Sequence, residues 1–242
     1  MPRANRHFIA GQVWHITQRC HQKQFLLRFE SDRRRWLYWL YQAKRRYGLS
    51  VLNYMVTSNH VHLLVHDQGN NSISPALQLI SGRTAQEFNR HQMRKGAFWE
   101  DRYHATAVQT NEHLARCMVY MDLNMVRAGE VSHPEQWEHS GYHESHNPNE
   151  RLSRLDIGSI CRLLQFDSMD EFNQSRQRWI EERLQTGKLN RESYWSDSVA
   201  VGDLEYALKM KRALAFSNPG RRARREPGCF AVRDPAGVYI TS

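Results

Sequence analysis

The sequence predicts an α+β fold: a ferredoxin-like antiparallel sheet with helices on one face, followed by a small, mainly helical C-terminal extension. Hydrophobic residues make up 40 % of the 242 residues, with 7 Trp, 10 Tyr and 9 Phe, which is enough for a real core. Along the first 130 residues, periods of two and of 3.6 follow one another in the order β, α, β, β, α, β, α. One sheet of the split βαβ type satisfies that order.

The first elements have simple signals. Residues 11–19 (GQVWHITQR) alternate with a period of two, which predicts a strand. Ser31 is placed to cap a helix that runs to Tyr47, and Gly48 is a usual helix terminator. Residues 49–57 predict a second strand. A tight turn at 58–59 then leads into the apolar strand HVHLLV, so the two strands are expected to form a hairpin.

The next elements are predicted in the same way. Ser74-Pro75 opens a helix to about Gln92, with Pro at its first position. Residues 103–109 predict a strand. A helix capped by Thr110 or Asn111 is expected to run to Ala128 and to end at Gly129.

We expect three regions: a domain at residues 1–130, a linker at 131–150 that is rich in His, Pro, Asn and Glu, and the extension at 151–242. Within the extension, helices are predicted at about 168–184, where Ser168 and Glu171 form a capping box, and at 202–215. Residues 217–228 look like a basic flexible segment, and the last residues predict a small hairpin turning at 234–237.

The composition favours a cytoplasmic protein. No apolar run approaches the roughly 18 residues needed to cross a bilayer, and the first residues lack the apolar core of a signal peptide. The four cysteines are far apart, which predicts free thiols and neither a zinc site nor a disulfide framework.

Positive charge is concentrated in the first half. Residues 1–128 carry 18 Lys and Arg against 8 Asp and Glu, while the whole chain has a net charge of +9. A polyanion is therefore expected to bind the first half. The alternative is a basic surface that is merely solvated. Arg33, Arg34 and Arg35 leave the same choice, because they either hold an anion at a helix start or extend into solvent.

His60 and His62 lie two residues apart on a predicted strand, so their side chains share one face at a Cα spacing of about 6.6 Å. Two imidazoles in that arrangement can bind one metal ion. His66 falls on the same face but too far along to join them. The alternative is a half-buried pair that only hydrogen-bonds its neighbours.

The helix predicted after residue 110 has two stripes. One is apolar, and the other is polar: His113, Arg116, Tyr120, Asn124 and Arg127. A tyrosine flanked by arginines can attack a phosphate, and Asn124, one turn away, can offer its carbonyl oxygen to the ion that the histidines hold. The alternative is a surface tyrosine in a basic patch. No P-loop, G-x-S-x-G or H-E-x-x-H motif points to another chemistry.

These residues resemble a known family. NHVHLLV is similar to the histidine–hydrophobe–histidine motif of the HUH single-strand nucleases, and YMDLNMVRAG is similar to the tyrosine helix of the single-tyrosine transposases. VWHITQR, RRYGL and FWEDRYHA look like the remaining landmarks of the REP-associated tyrosine transposases, in their order and at about their spacing. The resemblance covers roughly residues 8–130. One departure is Met125, where the family often has Pro.

The resemblance implies a ferredoxin-like fold and a transposase that cleaves and rejoins single-stranded DNA next to a hairpin. Tyr120 would be the nucleophile, leaving a 5′-phosphotyrosine, and a divalent ion (Mg²⁺ or Mn²⁺) would be held by His60, His62 and Asn124. The basic side chains are expected to bind the phosphates of the single-stranded or hairpin DNA: Arg33, Arg34, Arg35, Arg102, Arg116 and Arg127. His15 is expected to contact a DNA base, and the alternative is that it simply fills the face of the sheet.

Other readings stay open. The same scaffold could carry a non-catalytic repressor that binds hairpin DNA or RNA. A small-molecule metalloenzyme is a third reading, which the basic surface and the lack of a further carboxylate ligand disfavour. The sequence leaves the oligomeric state open between homodimer and monomer.

Overall fold

The first half of the chain folds into a four-stranded antiparallel sheet in the order β2-β3-β1-β4. A computed structural model describes residues 8–148, 150–187, 189–214 and 220–234. This strand order is the ferredoxin-like one, so the predicted α+β class is confirmed. The elements are β1 (Val13–Arg19), α1 (Glu30–Tyr47), β2 (Ser50–Val56), β3 (His60–His66), α2 (Ile73–His91), β4 (His104–Val108), α3 (Glu112–Asp122) and α4 (Asn124–Arg127).

Two helix ends show how local sequence acts. Gly48 ends α1 with a φ of 66°, the left-handed conformation that glycine adopts without strain. The predicted Ser31 cap is wrong, because α1 begins at Glu30 and its cap position is Phe29, two residues before Ser31. Glu30 and Asp32 lie in the first turn, where negative charge suits the helix dipole and offsets the arginines that follow.

Helices cover both faces of the sheet, and not one face as expected. The α2 residue Ser81 donates to Gln18, on the face that also carries Val61 and Leu63. The opposite face carries His60 and His62, and there α3 and α4 lie across the strands. The reason is that β2 and most of β3 are buried on both sides, so each face needs cover.

We expected a linker at residues 131–150, but residues 137–146 of this segment pack against the outer edge of β2. The Trp137 indole donates to the Val56 carbonyl at 3.0 Å, and Ser140 pairs with Met55 in an isolated bridge. α5 (Gly141–His146) follows, and its Tyr142 is buried. Burial of these aromatic residues outweighs the polar composition that suggested a linker.

The extension contributes strands as well as helices. It contains α6 (Ile157–Leu164), α7 (Met169–Gln185), α8 (Tyr194–Asp197), β5 (Ala200–Gly202), α9 (Leu204–Ala213), β6 (Arg222–Glu226) and β7 (Cys229–Arg233). β5 pairs in parallel with β4, and β7 and β6 extend the sheet to seven strands. The helices predicted near 168–184 and 202–215 correspond to α7 and α9.

The structure corrects one prediction for the basic tail and describes only part of the segment that a second prediction concerns. Residues 222–226, expected to be flexible, form a strand because they pair with β7 along their whole length. Residues 229–233 pair with β5 and β6, and the second strand of the hairpin expected around 234–237 lies outside the described residues.

A buried ion pair ties the extension to the first half. The Arg176 guanidinium of α7 donates to both carboxylate oxygens of Asp122 at 2.7 Å, and both side chains are fully buried. The Asn53 amide of β2 donates to the same carboxylate at 3.0 Å. The pair therefore connects α7, the end of α3 and β2.

The four cysteines are free thiols, as predicted. Within the part of the chain that the structure describes, no helix has the length and apolar character that a membrane span requires.

Candidate active site

A cleft of about 780 Å³ opens where the start of β3 meets the end of α3. His60 and His62 line it from the sheet, and Tyr120, Asn124 and Arg127 line it from the helices. The structure thus brings together the predicted metal ligands and the predicted nucleophile, which are about 60 residues apart in the sequence. All of them come from one chain.

Hydrogen bonds fix the ring of His62. Its Nδ1 lies 2.9 Å from Nε2 of His15, whose Nδ1 lies 2.8 Å from the main-chain carbonyl of Trp195. A carbonyl only accepts, so the His15 Nδ1 carries the hydrogen and its Nε2 accepts. The His62 Nδ1 must then donate, which leaves its Nε2 with a free lone pair on the side of the cleft.

His60 is oriented from its other side. Its Nδ1 lies 2.7 Å from the Asn59 side-chain oxygen and 2.9 Å from the Thr57 hydroxyl. With Nδ1 donating to the Asn59 amide oxygen, Nε2 carries the lone pair. Both rings therefore have their Nε2 nitrogens in the form that binds a metal.

Both histidines are neutral at pH 7. Burial, together with the positive charge of Arg19, lowers the pKa of His60 to about 4. Burial is also the main reason that the pKa of His62 lies well below its usual value, and His60, His15 and Arg127 lower it further. A neutral imidazole keeps its lone pair, and the charged form does not.

Tyr120 is buried, with 7 % of its surface exposed, and not at the surface as the alternative reading required. Its ring centroid lies 6.3 Å from that of His62, and the Arg127 guanidinium lies 4.2 Å from the ring centroid of Tyr120. Burial raises the pKa of Tyr120, while Arg127, Arg191 and a hydrogen bond to the Ser196 side chain lower it. These neighbours favour the phenolate that a nucleophile needs.

Asn124 faces the metal ligands from α4. Its Nδ2 lies 3.1 Å from Nε2 of His62. The two ends of an amide are assigned from hydrogen bonding, and a rotated amide would offer its oxygen at the same place. The helix predicted at 110–128 is broken at Leu123, yet Asn124 keeps its position one turn after Tyr120.

The donor set fits a divalent ion. The His60 and His62 rings lie 4.9 Å apart between centroids, and the Asn124 amide lies beside His62; with that amide rotated, two imidazole nitrogens and one amide oxygen face the same side of the cleft. Among the described residues there is no group of three or more His, Cys, Asp or Glu that could hold a metal, so a site here depends on the amide. Imidazole nitrogens bind divalent transition metals, and the amide oxygen suits Mn²⁺ or Mg²⁺, which would take their remaining ligands from water and phosphate oxygens.

The predicted DNA-binding arginines divide into two groups. Arg102 and Arg127 line the cleft. Arg116 does not, because its guanidinium donates to the carbonyls of Gly228 and Pro227. The α1 arginines are also away from the cleft and bind protein groups: Arg33 the carbonyls of Leu27 and Arg28, Arg34 the carboxylate of Glu30, and Arg35 that of Glu87.

The predicted contact between His15 and a DNA base is wrong. It is fully buried, and both ring nitrogens are used inside the protein. A side chain with no exposed surface cannot touch a base.

Among the cleft residues that sequence reasoning missed, three have side chains that bear on the proposed chemistry. Arg19 pairs with His60 across β1 and β3, so strand alternation could have placed it on the same face. Arg191 and Ser196 also line the cleft. They come from the segment before and within α8, for which the sequence analysis predicts no element.

Comparisons with known proteins agree with this geometry. Residues 10–123 match the family model described as Transposase IS200 like. No curated protein matches the chain. The structure of a REP-associated tyrosine transposase bound to a REP hairpin aligns with a TM-score of 0.51 and 19 % identity, over 61 % of this chain and 87 % of that one.

A putative transposase from Deinococcus radiodurans R1 aligns with a TM-score of 0.35 and 13 % identity, over 53 % of this chain and 97 % of that one. The alignment with the REP-associated tyrosine transposase supports the fold. The segment that matches the family model contains His60, His62 and Tyr120. Over residues 10–123, slightly less than half of the chain, this protein is similar to the IS200-like transposase family.

Proposed function

We propose that this protein is a transposase that cleaves and rejoins single-stranded DNA beside a hairpin, with Tyr120 as the nucleophile and a divalent metal ion at His60, His62 and Asn124. The observation that carries the proposal is the meeting of these four side chains in one cleft. Because all four belong to one chain, the proposed reaction needs no residue from a partner.

The proposed chemistry is a transesterification. The Tyr120 hydroxyl oxygen forms a bond to phosphorus as the phenol loses its proton, and the bond from phosphorus to the 3′ oxygen breaks. The 3′ oxygen takes up a proton and leaves as a free hydroxyl, so the 5′ phosphate stays on the protein. Reversal with another 3′ hydroxyl rejoins DNA without an external energy source.

The chain's own residues support each requirement. Arg127 and Arg191 place positive charge beside the Tyr120 oxygen, where charge develops during attack. Arg19 and Arg102 line the same cleft and can bind the flanking phosphates. A bound Mg²⁺ or Mn²⁺ would polarise the scissile phosphate and neutralise charge in the transition state.

The DNA partner is proposed from charge and from the fold. The solved structure aligned above holds a REP hairpin, and its likeness to this chain makes a hairpin with an unpaired flank the first ligand to test. We place the protein in the cytoplasm, associated with the nucleoid when bound.

The test is covalent capture. Hairpin oligonucleotides with randomised single-stranded flanks and a 3′ label are incubated with the protein and Mn²⁺ or Mg²⁺, then run on a denaturing gel. A labelled band at the mass of protein plus DNA is expected, and the 5′ fragment should carry a 3′ hydroxyl that a polymerase extends. EDTA should abolish both products.

Substitutions of the proposed nucleophile and of the proposed metal ligands test their roles in this assay. Tyr120→Phe should remove the covalent band and keep hairpin binding, whereas Tyr38→Phe, at an exposed tyrosine of α1 away from the cleft, should keep both. His60→Ala with His62→Ala should also abolish cleavage. A covalent band that persists in Tyr120→Phe rejects the nucleophile, and unchanged cleavage in EDTA rejects the metal site.

A hairpin-binding repressor on the same scaffold is the second candidate, because the basic first half would support binding alone. It predicts steeply salt-dependent binding without any covalent band under every metal condition.

A further inference from the structure

His15 is a buried histidine that the proposed reaction does not use directly. It lies on β1, fully buried, between the sheet and the extension. Its ring is nearly parallel to that of His62, with centroids 5.0 Å apart and 10° between the planes, which suits the hydrogen bond between their nitrogens. Its two nitrogens each have one partner in the protein, the Trp195 carbonyl and His62.

The direction of these hydrogen bonds follows from the carbonyl at their end. The Trp195 oxygen can only accept, so the chain runs His62 Nδ1–H to His15 Nε2, and His15 Nδ1–H to Trp195. Neither hydrogen-bond partner of His15 is a carboxylate. Because a fully buried charge without a counter-ion is costly, the His15 ring stays neutral. A neutral His15 accepts a hydrogen bond at Nε2 only when its Nδ1 carries the hydrogen.

The anchor of this chain comes from the extension. Trp195 is fully buried in α8, and its indole donates to the Glu192 carboxylate at 2.8 Å. Just beyond α8, the Ser198 carbonyl accepts from the Thr106 hydroxyl at 2.5 Å and lies 2.7 Å from Nε2 of His104. These contacts hold α8 against β4, so the Trp195 carbonyl has a fixed place above His15.

We propose that His15 is a positioning residue. The two hydrogen bonds that link the Trp195 carbonyl, His15 and His62 hold His62 as the tautomer whose unprotonated Nε2 faces the proposed metal site. This proposal rests on the proposed metal-dependent function. It gives residues 194–197 a role in the site, because the main chain of α8 sets the tautomer of a ligand on β3.

Two substitutions of His15 should have different effects on His62. In His15→Gln, the side-chain amide can donate to the Trp195 carbonyl and its oxygen can accept from His62, so both directions of the chain survive. In His15→Leu, neither bond forms and His62 is free to take either tautomer. Partners of this kind typically change metal affinity by about 10- to 100-fold.

The first measurement needs neither metal nor DNA. Histidine-¹⁵N-labelled protein is studied by long-range ¹H–¹⁵N correlation, with the His62 signals assigned from their loss in His62→Ala. The Nδ1–H tautomer is expected for His62 in the wild type and in His15→Gln. A mixture, or the Nε2–H form, is expected in His15→Leu. The Nε2–H tautomer in the wild type overturns the proposal, whatever the DNA assay gives.

The second measurement is Mn²⁺ affinity, by calorimetry or by electron paramagnetic resonance of the free ion. His15→Leu should bind about 10- to 100-fold more weakly, and His15→Gln should stay within a few-fold of the wild type. Ile16→Val, on the opposite face of β1, is the matched core control and should bind normally. Equal affinity in His15→Leu and the wild type overturns the proposal, as does a folded His15→Gln that fails like His15→Leu.

Discussion

The buried pair of Asp122 and Arg176 gives a sharp stability prediction. Arg176→Met removes the guanidinium and leaves the Asp122 carboxylate fully buried, with the Asn53 amide as its remaining side-chain donor. Such an uncompensated buried charge costs about 3–5 kcal/mol. For a chain of this length that loss lowers Tm by roughly 6–20 °C.

The double variant tests the physical reason. Asp122→Leu alone should also cost several kcal/mol, because it leaves the Arg176 charge buried. Combining it with Arg176→Met removes both charges and leaves only the Asn53 amide without its acceptor, which costs about 1–3 kcal/mol. The two single losses should therefore be far from additive.

Urea denaturation, followed by circular dichroism and by tryptophan fluorescence, measures the free energies of unfolding. Arg178→Met is the control, because Arg178 lies on the same helix with its side chain exposed and should cost less than about 0.5 kcal/mol. Our reasoning is refuted if Arg176→Met unfolds within about 1 kcal/mol of the wild type, or if the single losses simply add.

Three further predictions concern pH, DNA and packing. The pKa of buried His15 falls to about 4 from 6.5, so its contribution to stability is complete above pH 6.5 and is lost as pH falls toward 4. At pH 5 the loss is about 2 kcal/mol, so between pH 7 and pH 5 the wild type should lose about 2 kcal/mol more than His15→Gln, while the loss from buried His60, His62 and His139 is common to both; urea midpoints at the two pH values measure the difference. Arg127→Gln should weaken hairpin binding and lower its salt slope by about 1, because Arg127 lines the cleft, while Arg116→Gln, outside the cleft, should leave the slope unchanged. Gly141→Ala should cost about 1–3 kcal/mol, because a Cβ there meets the backbone and side chain of β2, whereas Gly82→Ala, with open space around it, should not destabilise; thermal shift compares the two.

The first half of the fold could be predicted because its signals are local. β1 alternates, Gly48 ends α1, and the strands around the turn at 58–59 are near enough in sequence to pair as a hairpin. The pairing of two histidines with a distant tyrosine and asparagine needed the family resemblance, since no local pattern brings residues 60 and 120 together.

The extension could not be predicted because its strands depend on their partners. Residues 222–226 (RARRE) carry no alternation of apolar and polar residues, and they form β6 only because β7 offers a strand to pair with. β5 has three residues, too few to show a period. Tyr120 looked like a member of an exposed polar stripe because its cover, Trp195 and Ser196, comes from this part of the chain.

The parallel pairing of β5 with β4 has a consequence for the timing of synthesis. A ribosome delivers the histidine strand and the tyrosine helix well before it delivers Trp195 and β5. At about 5–20 residues per second, the delay lasts several seconds. During that interval the nascent chain holds the proposed nucleophile and the two proposed ligands without the carbonyl that orients His62. The proposed site would then be complete only after residues 194–202 have been made.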